Sequence, residues 1–213
     1  MKRLVLLITA LTTLTAANAQ DAKGFLDQVL AKVKSYDNIA IGFKYTLNNE
    51  KQNINQDARG DVTIQGDKYL LNMLGTTRLF DGAKTYTVVP EDEEVTISAH
   101  GDGDSGQITP SKMLTFYEKG YRYKMDIAQN VKGRKIQYVK LTPTNKNAGV
   151  KDVLLGIDVQ TKHIYKLIQT DANGTRYTVT VTHFKPDQPL SKTLFVFNGA
   201  KYEKDGYYIN RLD

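Results

Sequence analysis

A mainly β (α+β) fold, built from a long antiparallel succession of strands with two short helices, is what this 213-residue chain predicts. Ile39, Ile41, Phe43, Tyr45 and Leu47 set apolar side chains on every second residue, with Ala40, Gly42, Lys44 and Thr46 between them. That period of two describes a strand with one buried face. Gly66-Asp67, Asp81-Gly82 and Asn173-Gly174 interrupt apolar runs with residue pairs that tolerate the positive φ of a tight hairpin. No helical period separates the strands from Ser35 to Pro90, so neighbours in sequence pair antiparallel. A sheet of about eleven strands can close on itself or curve around a cavity.

Taken in order, the chain opens with Met1-Lys2-Arg3 and an apolar and threonine run, Leu4–Ala16, too short to span a bilayer. Ala17-Asn18-Ala19 has the small-x-small pattern of a signal-peptidase site, so residues 1–19 read as a signal peptide cleaved after Ala19. Residues 20–213 then form the mature chain, read as one domain. There is no cysteine for a lipid anchor or a disulfide, so a hydrophobic core must carry the stability. Asp21 can cap a helix whose inward stripe is Phe25, Leu26, Val29, Leu30 and Val33. Strands follow at Ile39–Leu47, Gly60–Ile64, Tyr69–Met73, Leu79-Phe80 and Lys84–Val89, with Asn48–Gln56 as a polar loop, and continue to Ala99. His100–Gln107 is a glycine-rich loop. Thr109-Pro110 supplies the N-cap and first residue of a short helix with Met113, Leu114 and Tyr117 on one face and Gly120 as its stop. Strands resume at Tyr123–Ile127, Ile136–Thr142, Val153–Val159, Ile164–Ile168 and Tyr177–Val181, and Phe195–Phe197 and Tyr207–Ile209 close the chain.

No catalytic constellation emerges, and the chain reads as a non-enzyme without metal or cofactor. Gly103-Asp104-Ser105-Gly106 resembles a serine-protease nucleophile segment, but Gln107 replaces the next glycine and His100 stands too close to serve as its base. Asp102 and Asp104 are spaced like calcium ligands, yet Gly106 occupies the place of the third oxygen donor. His100, His163 and His183 form no close metal-binding pair, and Glu91–Glu94 lies in a hydrated turn. Removing Lys2 and Arg3 leaves 27 of the 29 basic residues against 23 acids, a mature net charge of +4. The densest basic group, Lys132, Arg134, Lys135 and Lys140, comes with no aromatic stacking pattern or known binding motif and reads as a solvated strand edge, so no nucleic acid partner is expected.

The order of segments resembles a known family. A helix followed by Ser35–Tyr45, Gly-Asp-Val-Thr-Ile (Gly60–Ile64), Tyr69–Leu71 and Phe-Asp-Gly-Ala-Lys-Thr-Tyr (Phe80–Tyr86) is similar to the periplasmic lipoprotein carrier family, LolA. The Thr109-Pro110 helix and Ser191–Phe197 also resemble family segments, so the likeness covers most of the mature chain. It implies an unclosed antiparallel barrel with a helical lid that carries lipoprotein acyl chains from the inner to the outer membrane. The implied partners are those acyl chains, an inner-membrane lipoprotein-releasing transporter and an outer-membrane acceptor, with the carrier a monomer. Family carriers often have Arg-Pro after the second strand, where this chain has Gln65-Gly66, and tryptophans where it has Leu71 and Tyr86. The arginine is tied to handing cargo forward, so the departure bears on the transfer partner more than on the fold.

The expected function is shielding of acyl chains, with Ile41, Phe43, Tyr45, Val62, Ile64, Leu71, Met73, Met113, Leu114, Leu155 and Ile157 lining the cavity or its lid. Each buried methylene contributes roughly 0.8 kcal/mol, so a usable carrier must bury its chains incompletely. If Thr109–Gly120 is a lid, Leu114→Glu leaves the protein folded and abolishes acyl binding. A non-transporting envelope lipid-binding, sensor or protein-interaction module of the same fold is the other reading.

Overall fold

The computed structural model describes residues 21–98, 109–145 and 149–212. The export signal with its cleavage after Ala19, and the 100–107 loop with His100, Asp102, Asp104 and Ser105, lie outside the described residues. A helix, α1, covers residues 21–34. Five hairpin-connected strands and a sixth follow: β1 (Ile39–Asn49), β2 (Ile54–Gln65), β3 (Lys68–Met73), β4 (Thr76–Phe80), β5 (Thr85–Val89) and β6 (Glu94–Ser98). Then come β7 (Tyr121–Val131), β8 (Arg134–Pro143), β9 (Val150–Asp158), β10 (Ile164–Asp171) and β11 (Arg176–Pro186), a short helix α2 (Gly199–Lys204), and β12 (Tyr208–Leu212). The twelve strands hydrogen-bond in the order β12-β6-β5-β4-β3-β2-β1-β11-β10-β9-β8-β7. The order has two free ends, so the fold is mostly β, as the strand pattern predicts, and its sheet is unclosed, as the family resemblance implies. The edge strand β12 departs from the antiparallel pairing of the strands beside it, running parallel to β6 from Tyr208 opposite Glu94 to Leu212 opposite Ser98.

The described residues divide into two compact units. The first comprises those up to Ser35, Leu47–Asn55 and Tyr117–Val179. Within it α1 buries Ala22, Leu26, Val29 and Val33, a stripe one helical turn apart, while Phe25 and Leu30 stay half-buried at its margin. Phe25 lies 4.7 Å beneath the Lys162 ammonium, a cation–π contact. The core of this unit is sheet: Ile136, Val139 and Leu141 of β8, Val153, Leu155 and Ile157 of β9, all at most 1 % exposed. Gly156 stands opposite Tyr138, and a Cβ there would meet its ring at 2.8 Å. The ring covers the bare backbone, which is why glycine sits in mid-strand. Asn49 and Thr175 join side chains at 2.7 Å in a buried bond between the β1 and β11 ends. The basic group is no strand edge. β8 is interior, Arg134 approaches the buried Asp158 at 3.6 Å and stacks over Tyr165, and Lys140 pairs with Asp152 at 3.1 Å. The edge is β7, whose ladder shifts register between Met125 and Ala128, a bulge that blunts further pairing.

The second unit holds the described residues of Tyr36–Thr46, Gln56–Phe116 and from Thr180 onward. Its hairpins use the predicted turns. Gly66 takes φ +58° between Gln65 and Lys68, and Gly82 takes +102°. A third turn, Leu74-Gly75, has φ of +53° and +74° and extends β4 back to Thr76, earlier than its apolar residues suggest. Most of the expected 48–56 loop is strand: β2 begins at Ile54, and Asp57 of β2 binds Lys44 at 2.7 Å and the Thr46 hydroxyl at 2.6 Å. Polarity there marks an outward face. Phe195–Phe197 is not a strand but a run of turns, closed by Leu194 N–H to Ser191 and Val196 N–H to Thr193. Its rings pack instead of pairing: Phe197 stacks on Tyr86 at 4.3 Å and on Tyr202 at 5.3 Å. The Thr109–Gly120 helix resolves into two 3-10 turns, Lys112–Leu114 and Phe116–Glu118, interrupted at Thr115, whose φ of −133° leaves the helical region.

Asp81 ties this packing to the β4–β5 turn. Its carboxylate accepts the Ala83 and Lys84 N–H groups, both at 2.8 Å, and the Tyr86 hydroxyl at 2.9 Å. Burial pushes its pKa up, but these donors outweigh it and hold the carboxyl below the ordinary 3.8. The folded state therefore favours the ionised form. Its contribution is complete above the ordinary carboxylate pKa and is lost as pH falls through the lowered folded value. Asp81→Asn is expected to lower the urea midpoint at neutral pH, with mutant and wild type converging in strong acid. Equal midpoints at neutral pH would contradict this.

Candidate functional site

Strand registers sort the side chains of the second unit onto two faces. Gly60 stands opposite Met73, Val62 opposite Leu71 and Ile64 opposite Tyr69 across β2–β3. Tyr69 in turn faces Phe80, its ring 5.8 Å away, and Leu71 faces Arg78 across β3–β4. Directly opposed residues share a face, so β2 and β3 present a continuous apolar surface. Phe43 of β1 joins it, because a Cβ on Gly60 would lie 2.7 Å from the Phe43 ring and 2.6 Å from the Asn72 carbonyl oxygen. The phenyl ring occupies the space over Gly60, which gives the glycine of Gly-Asp-Val-Thr-Ile its physical reason. Ile41 and Tyr45, two residues to either side of Phe43, fall on the same face.

Seven of the predicted residues are thus assembled on one surface: Ile41, Phe43, Tyr45, Val62, Ile64, Leu71 and Met73. Ile41, Phe43, Val62 and Ile64 are buried, whereas Tyr45, Leu71 and Met73 keep part of their surface open. Met73 also borders an open cleft of about 380 Å³ that is lined mainly by Arg59, Asp61, Asn72 and His183 of the opposite face. Leu74, at the tip of the adjoining turn, is 71 % exposed. Met113 is half-buried and Leu114 buried in the Lys112–Leu114 turn of the same unit. Leu155 and Ile157 belong to the first unit, on β9 between β8 and β10, and neither has accessible surface.

The bonding roles of three polar residues were not legible in the sequence. Asn38 clamps the chain after β11, its amide donating to the Gln188 carbonyl and accepting the Gln188 N–H, both at 3.0 Å. Asp81 organises the turn described above. Thr85 is buried beside Phe80 with a hydroxyl that has no hydrogen-bond partner among the described residues. Each sits in a segment with the family likeness, which was the available signal. Among the described residues no group of three or more His, Asp or Glu could hold a metal ion. His163 is half-buried, and burial, aided by Lys32, holds its pKa below the ordinary 6.5. His183 is exposed within β11, its imidazole lying against Gly42. What this surface offers is apolar contact.

Among curated proteins nothing matches the sequence. Solved structures do. An uncharacterized conserved protein from Thermus thermophilus superposes with a TM-score of 0.56 at 10 % identity, covering 90 % of this chain and 99 % of that one. LprF from Mycobacterium bovis gives 0.50 at 13 % identity, covering 82 % and 96 %. A LolA superfamily protein from Nitrosomonas europaea gives 0.44 at 13 % identity, covering 80 % and 97 %. At these identities the likeness to the first two is one of fold. The family profile of the outer membrane lipoprotein carrier protein LolA matches residues 34–198. With well over half of its length so matched, the chain belongs to the LolA family.

Proposed function

We propose that this protein is a periplasmic carrier that holds the acyl chains of lipoproteins in a hydrophobic cavity and moves them from the inner to the outer membrane. The observation that carries the reading is the apolar face of β1–β3, partly open at Tyr45, Leu71 and Met73, in a chain of the LolA family. Sealed residues shape such a surface, and half-open ones are where a ligand gains contact. Incomplete burial suits a carrier, because a fully enclosed acyl chain would be held too tightly for release. In this reading the chain is exported, loses residues 1–19, carries no lipid anchor and acts as one monomeric carrier domain over 20–213. It receives cargo from an inner-membrane lipoprotein-releasing transporter, passes it to an outer-membrane acceptor, and catalyses no reaction. Depletion followed by membrane fractionation tests it. Outer-membrane lipoproteins accumulating in the inner membrane are expected, and unchanged sorting would overturn transport.

A second reading, a non-transporting lipid-binding, sensor or protein-interaction module, is favoured by one feature. Gly66 stands where family carriers often have the proline of Arg-Pro, and its φ of +58° is closed to proline. The turn is therefore rebuilt rather than merely substituted. Lipid binding with unchanged lipoprotein sorting would select this reading.

A further inference from the structure

The face that carries the apolar patch changes character across the sheet. Its register continues from Phe80 to Thr85 and from Arg78 to Thr87 across β4–β5, then from Thr85 to Ser98 and Thr87 to Thr96 across β5–β6. It is apolar over β2–β3 and, beyond Phe80, a band mostly of hydroxyls over β4–β6, with Arg78, Val89 and Glu94 at the far end. On the opposite face of β5 and β6 the order reverses: Tyr86 pairs with Ile97 and Val88 with Val95, and Phe197 stacks on Tyr86. Apolar residues on that side serve the core of the unit.

Within the band Thr85 stands apart. Thr96 donates to Glu94 at 3.1 Å. The Thr85 side chain is 4 % exposed, and its Oγ1 has neither water access nor a hydrogen-bond partner among the described residues. Folded proteins rarely keep a buried hydroxyl in that condition. The donor lies next to Phe80, where the apolar face ends. Every acyl chain is joined to its head group through an ester or amide carbonyl, an acceptor at the boundary between apolar and polar parts. We propose that the Thr85 hydroxyl donates to this carbonyl, with the acyl chain along β2–β3 and the head group toward Thr87 and Thr96. The proposal rests on the acyl-binding reading and adds to it: the site senses where chain meets head group, not apolar length alone. This requires the side chains sealing Thr85 to give way as the chain enters.

The test compares diacyl-glycerol lipids with dialkyl ether analogues of equal chain length, bound to the full mature protein. Wild type is expected to favour the ester by about three- to tenfold, the worth of one neutral hydrogen bond. Thr85→Val should bind both at the wild-type ether affinity without loss of thermal stability, and Thr85→Ser should restore the preference. An unchanged preference in Thr85→Val, no preference in wild type, or a Thr85→Val protein that loses stability would each overturn the proposal. Were neither lipid to bind wild type, the acyl-binding reading itself would fall and this site with it. A diacylated lipopeptide and a diacyl phospholipid form separate arms. Whichever Thr85→Val weakens supplies the carbonyl, and weakening of neither overturns the assignment.

Discussion

Leu114→Glu is expected to cost the protein its fold, not its ligand alone. Leu114 is 6 % exposed at the end of the Lys112–Leu114 turn. An unpaired carboxylate in such a place costs several kcal/mol, out of a total stability of roughly 5–15 kcal/mol. The sequence, read as one amphipathic helix, placed this side chain at a cavity mouth where a charge would be tolerated. Met113, half-buried in the same turn, can turn a carboxylate toward water, so Met113→Glu is expected to stay folded. Circular dichroism with urea titration separates the two variants. A native-like midpoint for Leu114→Glu would show that position 114 opens onto solvent or a wet cavity.

The second large effect is on binding. Met73→Asp should leave a folded protein, because Met73 is half-buried, ends β3 and borders an open cleft. Acyl affinity should nevertheless fall by about ten- to a hundredfold. Losing the contact of one buried apolar side chain accounts for roughly 1.5–3 kcal/mol, and each 1.4 kcal/mol is tenfold in affinity. Met73→Leu, which keeps the apolar volume, should bind nearly as wild type. Equal binding by Met73→Asp would place the ligand elsewhere.

Legibility in the sequence followed the physics of each element. Period-two alternation marked Ile39–Leu47 because one face of β1 is buried and the other carries Lys44 and Thr46 into water. Where the inner side chains are no longer bulky and apolar, the signal fails: β2 runs back from Gly60 through Ala58 and Gln56 on that face, so its start at Ile54–Gln56 passed for a loop. Apolar content alone misled at Phe195–Phe197, where Phe197 stacks on Tyr86 and no ladder forms. The lid helix fails at Thr115, where the chain leaves helical geometry between two 3-10 turns although its apolar spacing is helical. Site residues on β1–β3 were legible because an apolar face is a repeating pattern. Thr85 was not, since an orphan hydroxyl is defined by partners that only the fold can supply or withhold. Asp81 was read as a turn residue, but its hold on Tyr86 requires the strand pairing to exist first.

The account's central claim is that acyl chains lie on the β1–β3 face, and photocrosslinking tests it most directly. The mature protein is loaded with a diacylated lipopeptide bearing a diazirine on its acyl chain, irradiated, digested and mapped by mass spectrometry. Adducts on the peptides containing Tyr45, Leu71 and Met73, competed away by unlabelled lipopeptide, are the predicted result. Competed adducts confined to other peptides, or no competed adducts at all, would contradict it.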